Sequence, residues 1–418
     1  MPDPKAYLRL IAIGGLIGIP AALLAAGFLA LVHEAEHWLW HDLPDALGES
    51  TPPWYLVILL PAAGACLVAA ARHFLPGDGG HKPLDGFKGG PVPLSSGPGI
   101  ALAAFGTLAF GAVLGPEAPL IALGALVGTA TQRFAETDEK GTAVLASAGS
   151  FSAVSALFGG PLVAAMLLTE AGLEMGKKLL PVLIPGFVSA AIGYVLFEGF
   201  GDWGGLSTQS LAVPDLPTYT SVRVGDLFVA VVVGIVTAII VAAVRRFAER
   251  VASDGVGRLG MPGMLIAGGL AVGLVAQTAD WLGADSQDVL FSGQTGVPAL
   301  AATTTTGILL VLLLGKAIAY GISLGCGFRG GPVFPAIFLG VAVAEFGHIW
   351  FDVSPTLGIA AGTAAGMAAG TRLLVTPVLF AALLVGRPGL NAISAAVLAA
   401  CAAWVAMQAL DHRAAPAE

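Results

Sequence analysis

Two stretches of this chain repeat each other 216 residues apart. Gly115-Pro116-Glu117-Ala118-Pro119-Leu120-Ile121-Ala122-Leu123-Gly124 returns as Gly331-Pro332-Val333-Phe334-Pro335-Ala336-Ile337-Phe338-Leu339-Gly340, with both Gly, both Pro, the Ile and the Leu in register. Gly permits a sharp turn, and Pro is tolerated in a first helical turn because its missing N–H is not needed there. Each copy therefore predicts a chain break followed by an apolar helix. Pro161 and Pro377 stand at the same 216-residue offset, each a break before an apolar segment, which argues duplication rather than chance.

Both breaks lie in sequence too apolar for water. Mean hydropathy is +0.86. Hydrophobic residues make up 56% and charged residues 11% of the 418, against roughly 25% charged in a soluble domain. The chain reads as one all-α, polytopic membrane domain over 1–418, with no soluble regulatory domain and the cell membrane as its place. A helix that starts inside lipid aims the positive end of its dipole at what sits there, and such backbone persists only where it is buried in protein or lines a wet cavity. Two such starts from two halves of a chain are the expected construction of an anion site. Only the first carries an acid, Glu117, and an ionisable group at that depth is a functional candidate. A scaffold without transport would more cheaply place an apolar residue there.

The apolar runs divide into a first repeat over about 7–200, a polar connector at 199–222 and a second repeat over about 223–411. Predicted spans include Leu8–Val32, Trp54–Phe74, Leu179–Phe197, Val224–Val244, Met264–Trp281, Thr306–Ser323, Phe334–Trp350 and Ala392–Leu410. Pro98–Leu114 and Pro119–Ala130 are too short to span comfortably and predict broken or re-entrant helices. His33 to Trp40 predicts an interfacial segment with an aromatic belt, and Arg245, Arg246 and Arg250 a cytoplasmic end. Net charge is −8, which offers no basic face to nucleic acid. The lipid bilayer is the expected surrounding, and no motif asks for a cofactor.

Leu114-Gly115-Pro116-Glu117-Ala118-Pro119 resembles the Gly-Lys/Arg-Glu-Gly-Pro motif of the chloride-channel (ClC) superfamily, and Gly330-Gly331-Pro332-Val333-Phe334-Pro335 resembles its Gly-x-Phe-x-Pro motif. Lys316 stands where that family often has a Lys before the second motif. The pair of motifs also resembles a bacterial branch of ion-transport proteins. The resemblance covers about 10–410. It implies two inverted-topology repeats, a homodimer with one pore per subunit, transport of a small inorganic anion (chloride by default) as a channel or a proton/anion antiporter, and Glu117 as the gate. Ionised, Glu117 would occupy the anion site; protonated, it would leave. The implied site is Gly115, Pro116, Glu117, Ala118, Gly330, Gly331, Val333 and Phe334, with Gly80 and His81 from Gly79-Gly80-His81-Lys82-Pro83.

That loop has no serine where the family's central-site loop has one. His81 reads either as a substitute donor or as a solvated loop histidine. The tail lacks the family's pore tyrosine, and the pair of adjacent acids of proton-coupled members is Glu170-Ala171 here. Glu170 reads either as a proton-pathway group or as a structural carboxylate near a helix end. These departures favour uncoupled or weakly coupled flux.

One competing pattern remains. His33-Glu34-Ala35-Glu36-His37 matches His-Glu-x-x-His, which on a helix puts two zinc ligands on one face with Glu34 as general base. Pro83-Leu84-Asp85-Gly86 resembles the Leu-Asp-Gly motif of intramembrane site-2 metalloproteases and would add Asp85 as the third ligand. This alternative leaves the duplicated breaks unexplained.

Overall fold

The computed structural model describes residues 4–86, 89–173, 176, 179–199, 203–206 and 212–414. Of the predicted connector, 200–202 and 207–211 lie outside the described residues. The longer helices of the first repeat are α1 Pro4–His37, α2 Trp54–Phe74, α3 Gly97–Leu108, α4 Glu117–Ala130, α5 Glu139–Leu157, α6 Pro161–Ala171 and α7 Leu180–Glu198. Those of the second are α8 Val224–Ser253, α9 Leu259–Trp281, α10 Thr306–Gly325, α11 Val333–Phe351, α12 Pro355–Thr371, α13 Val375–Val385 and α14 Ile393–Ala414. Helices α8 and α9 form one helical run with a kink at Gly260, whose φ of 68° is open to glycine at little cost.

The repeat is visible in the helix starts. Glu117 opens α4 and Val333 opens α11; Glu139 opens α5 and Pro355 opens α12; each pair is 216 residues apart. Among the described residues, eight helices are long and apolar enough to cross a membrane, while α3, α6 and α13 are shorter apolar helices. This is a multi-pass integral membrane protein with broken helices.

By packing, the chain divides into two compact units. One comprises Met1–Ala35, Ala70–Phe105 and Pro116–Leu211, and the other Glu36–Ala69, Gly106–Gly115 and Ala212–Glu418. In the first, α4 crosses α5 at Gly124 and Gly149, where any Cβ would run into backbone of the facing helix. In the second, α11 crosses α12 at Gly340 and Gly362 in the same way. The last Gly of each sequence motif, Gly124 or Gly340, is thus the residue that lets its helix touch the next. Without a hydrophobic drive between helices in lipid, close backbone packing of this kind holds them together.

Three expectations change. The predicted segment Pro98–Leu114 is helical only to Leu108, because the residues after it leave the helix to pair with the second repeat. The predicted segment Val224–Val244 does not stop at the basic cluster: helix α8 runs on through Arg245, Arg246 and Arg250 to Ser253. Nor is Trp40 part of an interfacial belt. Trp38 is exposed, but Trp40 is fully buried and its Nε1 donates to Ala109 O at 3.1 Å. A carbonyl released where α3 stops needs a donor, and Trp40 supplies it.

Candidate functional site

The site grows out of two short coils, residues 109–116 after α3 and 326–332 after α10. Their turns use Gly111 and Gly327, 216 residues apart, with φ of 88° and 94°, a region side chains rarely enter. Where the two coils meet they run antiparallel, and Gly115 and Gly331 exchange both main-chain hydrogen bonds, Gly115 N to Gly331 O at 2.8 Å and Gly331 N to Gly115 O at 2.6 Å. Just behind this pair, Ser323 Oγ accepts from Val113 N at 3.0 Å and Thr107 Oγ1 accepts from Arg329 N at 3.1 Å. Thr107 corresponds to Ser323, and Val113 to Arg329, at the 216-residue offset. Each repeat therefore lends the other the same hydroxyl for the same amide. Such reciprocity is the mark of a two-fold relation between the halves, as at an isologous interface, and the antiparallel run of equivalent segments is what inverted repeats produce.

Close approach fixes the residue types. A Cβ on Gly330 would sit 2.6 Å from Leu114 Cβ and 3.0 Å from Gly115 O. The helices begin two residues after the paired glycines. Pro116 and Pro332 precede them and Pro119 and Pro335 occupy their third positions. Prolines thus remove two of the four amides that a helix start leaves outside its ladder, and the donors of these first turns belong to Glu117 and Ala118, and to Val333 and Phe334. Glu117, Val333 and Phe334 are all buried.

Helix α10 supports the second break from one face. Lys316, Tyr320 and Ser323 follow at i, i+4 and i+7, the spacing of a single stripe. Buried Tyr320 donates its hydroxyl to Pro332 O at 2.9 Å. Fully buried Lys316 donates to the carbonyls of Asp288 at 3.0 Å, Leu290 at 2.5 Å and Phe291 at 3.2 Å, and its Nζ lies 4.6 Å from the Phe338 ring centre. Phe291 N in turn donates to Gly111 O at 3.2 Å, so the lysine clamps a loop that holds the first coil. Burial and neighbouring Asp285 raise the Asp288 carboxyl above its usual range, with Lys316 opposing. Tyr320, Thr107, Ser323 and buried Arg329 are site residues that sequence reasoning missed, and the 316/320/323 stripe in an otherwise apolar helix was the available signal.

The structure brings Gly115, Gly330 and Gly331 together, and chain connectivity puts Pro116, Glu117 and Ala118 directly after the first of them and Val333 and Phe334 directly after the last. Gly80 is half-buried with φ of 97°, and a Cβ on it would lie 3.4 Å from Ile100 at the start of α3; His81 beside it is also half-buried. Glu170 is the penultimate residue of α6 and half-buried.

The protease alternative fails on geometry. His33 and His37 lie on exposed turns of α1, and His37 Nδ1 is 3.3 Å from Asp42 Oδ1. Among the described residues no group of three His, Cys, Asp or Glu side chains, Asp85 included, converges as a metal site.

Comparison with known proteins agrees with this geometry. "Putative ion-transport protein YfeO" from Salmonella newport and from Salmonella typhimurium is 28% identical over 359 residues, covering 81% of this chain and 80% of each relative. The crystal structure of a slow cyanobacterial Cl−/H+ antiporter superposes with a TM-score of 0.78 at 18% identity, over 98% of this chain and 96% of that one. A CLC-type fluoride/proton antiporter superposes with a TM-score of 0.73 at 19% identity, over 97% and 96%. Residues 81–407, which contain both breaks and every hydrogen bond between them, match the family described as voltage gated chloride channel, and the chain belongs to that family.

Proposed function

We propose that this protein carries a small inorganic anion across the membrane past the paired breaks, with Glu117 as the gate. The observation that carries the reading is the reciprocal pairing of Gly115 with Gly331. It locks two coil-to-helix junctions in place by main-chain bonds, and each junction is followed at once by a helix start. A helix start favours negative charge by its dipole and its outward amides. A carboxylate tethered at one of them, Glu117, competes with a free anion for that environment and yields it on protonation. Chloride is the default cargo, and fluoride or nitrate fits the same backbone chemistry. The names of the structural relatives, a Cl−/H+ antiporter and a fluoride/proton antiporter, bring protons in as a second cargo. The family resemblance supports a homodimer with one pore per subunit and a role as transporter rather than enzyme. Gly80, His81 and Glu170 are secondary candidates for the anion path and the proton path.

The test is efflux of chloride, fluoride and nitrate from liposomes holding the purified protein, under an imposed pH gradient. Selective anion efflux is the expected result. Leak no faster than that of empty liposomes for every anion would refute the reading.

A further inference from the structure

Among the described residues the fully enclosed acids are two, Glu117 and Glu345, and the gate uses only the first. Glu345 lies on α11, twelve residues after Val333 and six before Phe351. At the helical rise it sits about 18 Å along the helix from the break and about 9 Å from the exposed aromatic end at Trp350 and Phe351. Neither of its carboxyl oxygens has a hydrogen-bond partner among the described residues. Its Oε1 faces bare backbone on α12, where a Cβ on Gly358 would lie 3.4 Å away.

The elements packed on α11 carry charged groups, but among the described residues none is ion-paired with Glu345. Helix α12 has no titratable side chain from Pro355 to Thr371. On α8, Asp226 accepts from the Tyr219 hydroxyl at 2.6 Å, and Arg246 Nη2 donates to Leu410 O. Arg245, Glu249 and Arg250 complete the charged groups of that half of α8, and Asp280 of α9 accepts from Gln277 Nε2. Lys316 of α10 is bound by its three carbonyls, and His348, a turn on from Glu345, meets Val353 O at 2.7 Å through Nδ1. None of the ion pairs among the described residues includes Glu345. Two buried hydroxyls on neighbouring helices, Thr237 of α8 and Thr363 of α12, likewise have no partner among the described residues.

The fold does not require an acid here. The equivalent residue of the first repeat is Thr129, which donates to Ala125 O at 2.9 Å and accepts from Val92 N at 3.4 Å. An ionised carboxylate enclosed without donors is strongly disfavoured, whereas a carboxyl holding its own proton is tolerated there. We infer that Glu345 is a proton-binding site of the transport cycle: its carboxylate takes a proton from water beyond the aromatic end of α11, forming an O–H bond that breaks again when the proton is passed on. The inference rests on the anion-transport reading and gives it the acid that Ala171 lacks.

Glu345→Gln separates this role from packing, because the amide copies the shape of a protonated carboxyl but cannot release a proton. Efflux of chloride and of fluoride is followed with external pH in the same liposomes. Wild-type protein is expected to move protons with the anion. Glu345→Gln is expected to keep near wild-type anion efflux while proton movement falls to the background of empty liposomes. Glu345→Thr, which installs the residue of the first repeat, replaces it if the Gln variant does not fold. Wild-type proton movement in the variant, or anion efflux without protons in the wild type, overturns the inference. An infrared difference spectrum between two pH values supplies an arm independent of transport. A protonated-carboxyl band present in wild type and missing in Glu345→Gln supports the site, and its absence from wild type overturns it whatever the flux. Wild-type protein that shows the band but moves no anion breaks the transport reading and leaves the proton site standing.

Discussion

Helices α4 and α11 begin from the same backbone and carry different chemistry. Both follow a glycine of the Gly115–Gly331 pair, both have Pro before the first helical residue and again at the third position, and both cross the next helix at a glycine, Gly124 or Gly340. Yet α4 opens on Glu117 where α11 opens on Val333, and α11 buries Glu345 where α4 has a hydrogen-bonded Thr129. Duplication kept the parts that shape main chain, which are glycines, prolines and two hydroxyls. Charge was distributed unequally. A two-fold site needs matching geometry on both sides, whereas the proposed gate and proton site each act from one.

Replacing a residue of one repeat by its counterpart in the other tests that division. The largest effect is expected for Lys316→Ile, since the first repeat has Ile100 at that place. The change strands the Leu290 carbonyl in a buried site and those of Asp288 and Phe291 in part-buried ones, at about 1–3 kcal/mol each, so chemical denaturation in detergent should show the protein severely destabilised or unable to fold. Gly330→Leu copies Leu114. With Leu114 Cβ only 2.6 Å from the position its own Cβ would take, overpacking should cost about 1–3 kcal/mol and part the glycine pair. A midpoint within error of wild type would mean that the junctions are not locked by this approach.

The smallest and most diagnostic pair is Thr107→Ala and Ser323→Ala. Each leaves one buried amide without its acceptor, at about 1–2 kcal/mol. If the bonds from Arg329 N and Val113 N are true counterparts, the two losses should match. A loss in one and none in the other would break the symmetry.

Much of the fold was legible because Gly and Pro act locally. Gly115-Pro116 and Gly331-Pro332 announce helix starts at Glu117 and Val333 within the sequence itself, and the 216-residue offset announces their kinship. What could not be read depends on partners far along the chain. Thr107 and Arg329 are 222 residues apart, and a threonine in an apolar helix otherwise bonds its own preceding turn. Trp40 carries the signature of a membrane interface and is instead consumed by Ala109 O. Glu345 was visible as the one acid in the run Val333–Ile349, but only its lack of partners distinguishes it from a paired residue.

The central claim is that an acid tethered beside the paired glycines competes with the transported anion. Chloride efflux from liposomes, measured across a series of pH values for wild type and Glu117→Gln, tests it most directly. Wild-type efflux should rise as pH falls, because protonation withdraws the competing carboxylate, and the Gln variant should be open and flat across the series. A Gln variant that keeps the wild-type pH dependence would contradict the account.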